Sequence, residues 1–214
     1  MRNDYLEHDR AIWEGIFEKI PAEWYEAPPS DAMLQCREFF RVNPVRRLLD
    51  LGCGFGRWAM MLAGGREVVG VDYALGGVRA ASQWAKTKGA RARFVAASAL
   101  ALPFRPMVFD GILAALLLDN LSREDFGKVM ESVHRVIRVD SPGFFVFNPD
   151  LTEQDAAPIA EDNPTKDCMH VAYRDHELPA RLDGWAVSRV GVSKEGFRIV
   201  EARFAPKSIE LSGE

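Results

Sequence analysis

The chain has 214 residues, enough for one domain built on a sheet covered on both faces. With 48% hydrophobic and 27% charged residues it has the composition of a soluble globular protein. Its net charge of −4 argues against a nucleic-acid partner or an anionic membrane surface. No apolar run is long enough to span a bilayer, and the N-terminus lacks the basic start and apolar core of a secretion signal. Cys36, Cys53 and Cys168 are odd in number and widely spaced. They form neither a disulfide framework nor a zinc pattern, which points to a reducing cytoplasm and to no metal.

In chain order, residues 4–20 predict an amphipathic helix, with Ile12, Trp13, Ile16, Phe17 and Ile20 on one face and Pro21 as its stop. After Pro28-Pro29, Ser30 caps a second helix running to about Arg41. These segments form a helical cap over residues 1–45. Leu48, Leu49 and Leu51 then read as a buried strand that ends in a glycine cluster, Gly52, Gly54 and Gly56, before the helix RWAMMLA. Glycines at such a turn let the backbone approach a ligand where a Cβ would collide. A second apolar strand, Val68–Val71, ends in Asp72, about twenty residues beyond the first glycine. An ionised carboxylate there can accept hydrogen bonds from both hydroxyls of a ribose.

A helix over 76–88 stopped by Gly89, a strand over 93–97 and the segment SALALPF follow. Residues 109–118 form an almost continuous apolar run, as a central parallel strand requires. Ser122 with Asp125 predicts a capped helix carrying Phe126, Val129, Met130, Val133, Val136 and Ile137, with His134 as a surface histidine. It leads to a strand over 144–147. Residues 148–168, rich in Pro, Asp and Glu without apolar period, read as a loop or lid-like insertion extending to about 170. Beyond it, MHVAY reads as a short strand, and residues 180–195 as a last crossover helix or, alternatively, a strand over 185–192. Residues 196–204 are a strand, with Lys207–Leu211 as a short antiparallel partner.

The spacing G-x-G-x-G, with Asp50 two residues ahead of Gly52, differs from the G-x-G-x-x-G of dinucleotide sites. A carboxylate beside the loop repels a pyrophosphate and attracts a cation. Asp50-Leu-Gly-Cys-Gly-Phe-Gly resembles motif I of class I S-adenosylmethionine-dependent methyltransferases. Val68–Tyr73 resembles their acidic motif, Phe109-Asp110-Gly-Ile their motif IV, and Arg135–Gly143 their R-V-L-K-P-G-G turn. The resemblance covers about residues 46–147, with a fainter match at 196–204. It implies a doubly wound, mostly parallel α/β sheet of the Rossmann-like order 3-2-1-4-5-7-6 over residues 46–214, S-adenosylmethionine as cofactor, and methyl transfer to a small-molecule acceptor.

The resemblance assigns Asp50, Gly52, Cys53, Gly54 and Gly56 to the amino acid part of the cofactor, and Asp72 and Tyr73 to its ribose and adenine edge. Ser98 and Ala99 fall at the adenine and Ala115 at the methionine end. Cys53 is small enough to pack inside the loop, and Ser98 stands where relatives often carry an acid. Asp110 starts its strand at the end remote from the ligand and reads as structural. Base candidates are His170, His176, Asp119 and Tyr25, with His170 and Asp119 preferred. Trp13, Trp24 and Tyr25 are candidates for an apolar substrate wall. A protein substrate and a non-catalytic cofactor-binding relative are the alternatives.

Overall fold

A computed structural model of the chain describes residues 4–149, 165 and 167–206. Seven strands, β1 (Arg47–Leu51), β2 (Glu67–Asp72), β3 (Ala92–Ala96), β4 (Gly111–Ala115), β5 (Pro142–Phe147), β6 (Trp185–Val192) and β7 (Arg198–Phe204), form one sheet in the order β3-β2-β1-β4-β5-β7-β6. The first five are parallel, and β7 runs antiparallel to both β5 and β6. This is the class I methyltransferase arrangement. The strand order reverses between β1 and β4, where α/β sheets open a crevice at their carboxyl ends.

Alternation along the central strands explains why they are apolar throughout. Leu49, Ile112 and Phe145 point to one face, with Phe126, Val129, Tyr173 and Trp185. Their neighbours Leu48, Leu113 and Phe144 point to the other, with Phe39, Phe40 and Ile199. The helices are α1 (Asp4–Phe17), α2 (Ala22–Glu26), α3 (Asp31–Val42), α4 (Arg57–Leu62), α5 (Leu75–Lys88), α6 (Arg123–Val136) and α7 (Leu178–Arg181). Both expected serine caps form: Ser30 Oγ accepts from Met33 N–H at 3.3 Å, and Ser122 Oγ from Asp125 N–H at 3.1 Å. At the amino end of the sheet Asp110 accepts from the N–H groups of Arg46 and Arg47, a structural role. His134 is half-buried and stacks on Phe204, 4.9 Å between centroids, so it is an inner rather than a surface residue.

Several sequence expectations change. The first helix ends at Phe17, and a separate short helix, α2, forms after Pro21. The apolar run 109–118 is strand only to Ala115. Leu116 takes φ +55°, and Leu118–Asn120 form a 3-10 turn. Among the two readings of residues 180–195 the strand forms, with a register shift between Val187 and Arg189, after only a four-residue helix. Antiparallel pairing with β7 overrides its poor alternation. MHVAY is irregular rather than a strand, tied to the fold by Val171 N–H donating to Asp119 C=O at 2.7 Å. Lys207–Leu211 and most of the lid-like insertion lie outside the described residues.

Candidate active site

The glycine loop between β1 and α4 is folded by its own backbone. Gly52 and Cys53 N–H both donate to Val71 C=O, at 2.8 and 3.0 Å. Gly52 and Gly54 take φ of +74° and +51°, where a side chain is strained. Asp72, at the carboxyl end of β2, locks the loop: its Oδ2 accepts from Gly54 N–H at 2.8 Å and its Oδ1 from Ala74 N–H at 2.9 Å. Each oxygen keeps a lone pair for a further donor. Burial raises the Asp72 pKa, against the pull of these bonds.

Asp50 lies beneath the loop, 1% exposed, and its Oδ2 has no partner among the described residues. Burial first, and the charge of Asp72 second, push its pKa up to about 7.

These elements wall a cavity of about 110 Å³. Its floor is Gly52, Gly54, Val71 and Asp72, and one side is Ala97–Leu100 after β3, with Tyr73. Leu116, Leu117, Asn120 and Leu121 after β4 close the other side. Ser98 Oγ accepts from Leu100 N–H at 3.2 Å and so shapes the turn. The roof is α1, through Leu6, Trp13 and Phe17. Phe17 reaches over Gly54 and Leu117 over Gly52, so that a Cβ at either glycine would lie within about 3 Å of them. The cavity is smaller than the about 300 Å³ or more typical of ligand sites, with Phe17 and Leu117 standing over the loop.

Four bonds pin α1 across the crevice. Tyr5 O–H donates to Asp125 Oδ2, Met169 N–H donates to Asp9 Oδ2 at 3.1 Å, and Glu14 accepts from Leu75 and Gly76 N–H at 2.5 and 2.6 Å at the start of α5.

Of the sequence-assigned residues, the structure gathers Gly52, Gly54, Asp72, Tyr73, Ser98, Ala99 and Trp13 on the cavity. Others stand behind it. Cys53 packs its Sγ toward Gly70, and a Cβ at Gly56 would strike Ala81 and Phe94, so both serve packing between loop, sheet and α5. Ala115 is buried in β4, one residue short of the wall.

Trp24 and Tyr25 are not brought to the cavity. They pack on Phe55, 5.9 and 5.4 Å between centroids, and Tyr25 lies edge-on to Trp84 on the outer side of the loop. The aromatic at Phe55 inside the glycine motif draws them there. His170 is exposed, with Nε2 3.0 Å from Thr165 C=O, and His176 is exposed, so neither ring faces the cavity. Asp119 is 2% exposed beside the wall residue Asn120. Leu6, Leu117 and Glu14 went unmarked in the sequence. They act through contacts across the fold, which no local spacing signals.

Comparison with known proteins fits this geometry. A family model described as a methyltransferase domain matches residues 48–140. An O-methyltransferase of Aspergillus nomiae NRRL is 30% identical over 170 residues, 75% of this chain and 69% of the relative. The chain belongs to the class I S-adenosylmethionine-dependent methyltransferases.

A demethylmenaquinone methyltransferase of Thermus thermophilus is 39% identical over 95 residues, 43% of this chain. The chain thus spans only 42% of the length of that relative. Among solved structures, a methyltransferase of Aquifex aeolicus superposes with a TM-score of 0.64 at 20% identity, covering 82% of this chain and 90% of that one, a likeness of fold.

The residues present fit the family's cofactor. The unpartnered Asp50 oxygen suits its ammonium, the free lone pairs of Asp72 suit two ribose hydroxyls, and the apolar wall Ala97–Leu100 with Val129 suits a purine.

A pH dependence follows from Asp50. A cation binds its ionised form better, so binding releases a proton wherever Asp50 is still protonated in the free methyltransferase. Affinity for S-adenosylmethionine is expected to rise by up to about tenfold per pH unit below about 7 and to flatten above it. Calorimetric titrations from pH 5.5 to 7.5 check this, and an Asp50→Asn variant should show no slope. For the free protein the sign is opposite. A raised folded-state pKa contributes stability that is full below the unfolded value near 3.8 and lost as pH rises through about 7.

Proposed function

We propose that this protein transfers a methyl group from S-adenosylmethionine to a small, apolar, uncharged acceptor. The supporting observation is the wall of the cavity: Leu6, Trp13, Phe17, Leu116, Leu117 and Leu121 border it, and no described lining residue is Arg, Lys or His. Such a wall excludes water and offers nothing to pair with a phosphate or carboxylate. The Thermus relative, a demethylmenaquinone methyltransferase, and the Aspergillus relative, an O-methyltransferase, agree with it by name.

When bound, the cofactor supplies a methyl on a positively charged sulfur, an electrophile that needs no further activation. The protein's part is alignment and proton removal. Trp13 and Leu6 hold the acceptor against the end of β4. Asp119, buried beside the wall residue Asn120, is the proton acceptor in this reading, and burial raises its carboxyl pKa. His170, exposed and bonded to Thr165, is the weaker candidate. A cytoplasmic location belongs to the same proposal. It rests on three buried, unpaired cysteines and on the absence, among the described residues, of a helix long and apolar enough to cross a membrane.

The test pairs calorimetry against S-adenosylmethionine and NAD with a methyl-transfer assay on a metabolite library. Binding of S-adenosylmethionine and turnover of at least one small acceptor are expected. Binding of NAD alone would sink the cofactor assignment, and cofactor binding with no turnover of any small molecule would leave the protein a non-catalytic or protein-directed relative.

A further inference from the structure

On the outer side of the glycine loop lies a second concavity, of about 550 Å³, which shares no lining residue with the first. Its size falls within the range of about 300–1,000 Å³ usual for small-molecule sites. Part of its wall is apolar and adaptable: Tyr25, Trp84, Met60 and Met61, all half-buried. The Tyr25 and Trp84 rings meet edge-on at 4.8 Å between centroids. Both pack on Phe55 of the loop, at 5.4 and 6.4 Å.

The rest of the wall is cationic. Arg57, Lys88 and Arg91 line the groove, and no described lining residue is Asp or Glu. The whole chain carries 31 acidic against 27 basic residues, so three cations without an acid run against its balance. The helix dipole accounts for Lys88, in the last turn of α5. It does not account for Arg57, the first residue of α4, where a cation is disfavoured, nor for Arg91, which lies in no helix. Arg57 is held in place by one nitrogen: its Nη2 donates to Ala27 and Pro28 C=O at 3.1 and 2.6 Å, leaving Nε and Nη1 for another acceptor. Among the described residues neither Lys88 nor Arg91 has an ion-pair partner.

We propose that this outer groove is a second binding site, for a small anion with an aromatic or other apolar body. Arg57, Lys88 and Arg91 take its carboxylate or phosphate head, and the body lies on Trp84, Tyr25 and the two methionines. The cavity over the glycine loop has the opposite character. Asp72 lines it and no described lining residue there is Lys or Arg, so an anion gains nothing by entering it. The site goes beyond methyl transfer and does not depend on it.

The test uses the full chain with 2-naphthoate, 2-naphthyl phosphate and the neutral isostere 2-naphthamide, followed by calorimetry and by the indole N–H resonances of the tryptophans. Trp84→Phe and Trp13→Phe identify the resonances of the outer groove and of the first cavity. Both anions are expected to bind at least about tenfold more tightly than the amide and to shift the Trp84 resonance. Replacing Lys88 and Arg91 together with alanine should weaken anion binding at least about tenfold and leave the amide unchanged, since each exposed ion pair contributes up to about fivefold. Both residues are exposed, so the variant is expected to fold. Equal affinity for naphthoate and naphthamide overturns the proposal. So does anion binding unmoved in the double variant, a shift at Trp13 in place of Trp84, or no binding of either anion at millimolar concentration.

Discussion

Replacing Gly54 with valine is expected to abolish cofactor binding, a loss of at least about a hundredfold, roughly 3 kcal/mol, while the sheet still forms. Two costs combine at this position. Gly54 takes φ +51°, a conformation that a β-branched residue adopts only with strain. Its Cβ would also stand 3.0 Å from the Phe17 ring, in the space through which a ligand reaches the loop. The loop can escape the strain only by rotating, and rotation withdraws Gly54 N–H from Asp72 Oδ2. The framework does not depend on that bond, because β1 is paired with β2 and β4 along its length. Calorimetry with S-adenosylhomocysteine and circular dichroism on the same sample check both halves. Retained affinity in a folded Gly54→Val protein would show that the glycine loop is not the binding surface.

Asp72→Ala should lower cofactor affinity by about 1.5–3 kcal/mol, the range for hydrogen bonds to a charged group. It should also lower the melting temperature. The carboxylate acts twice: toward the ligand through its free lone pairs, and toward the protein by accepting from Gly54 and Ala74 N–H. Alanine leaves both N–H groups without that partner. The loss of stability is moderated because burial already penalises the ionised carboxylate, as its raised pKa records. Asp72→Asn separates the two roles, since an amide oxygen can keep one backbone bond but not both. Thermal melts with and without S-adenosylmethionine make the comparison. Equal melting temperatures and equal affinity in the alanine variant would remove Asp72 from the site.

The glycine loop and the strand-end acid were legible in the sequence because their parts are close along the chain. A strand, a glycine-spaced turn, a helix, a second strand and an acid occupy residues 47–72, and each is specified by local chemistry: apolar runs, positive φ, a carboxylate at a strand end. The parallel core was legible for the same reason, through strands apolar on both faces. The far side of the cavity was not. Trp24 and Tyr25 have the composition of a substrate wall, yet the Phe55 ring draws them to the outer side of the loop. The run after Ala115 reads as strand until the Leu116 backbone turns over and Asn120 fixes it. Asp119 and Asn120 are two ordinary polar residues in sequence. Only the tertiary structure, by returning Asn148 to Asp119 and turning Leu116 C=O toward Asn120, commits one end of each side chain and leaves the other unpaired. The sequence by itself determined the fold and the methyl donor, because those rest on short-range periodicity and backbone conformation. The roof over the cavity and the oxygens beside it were decided by packing between segments up to about 160 residues apart, as in the bond from Met169 to Asp9.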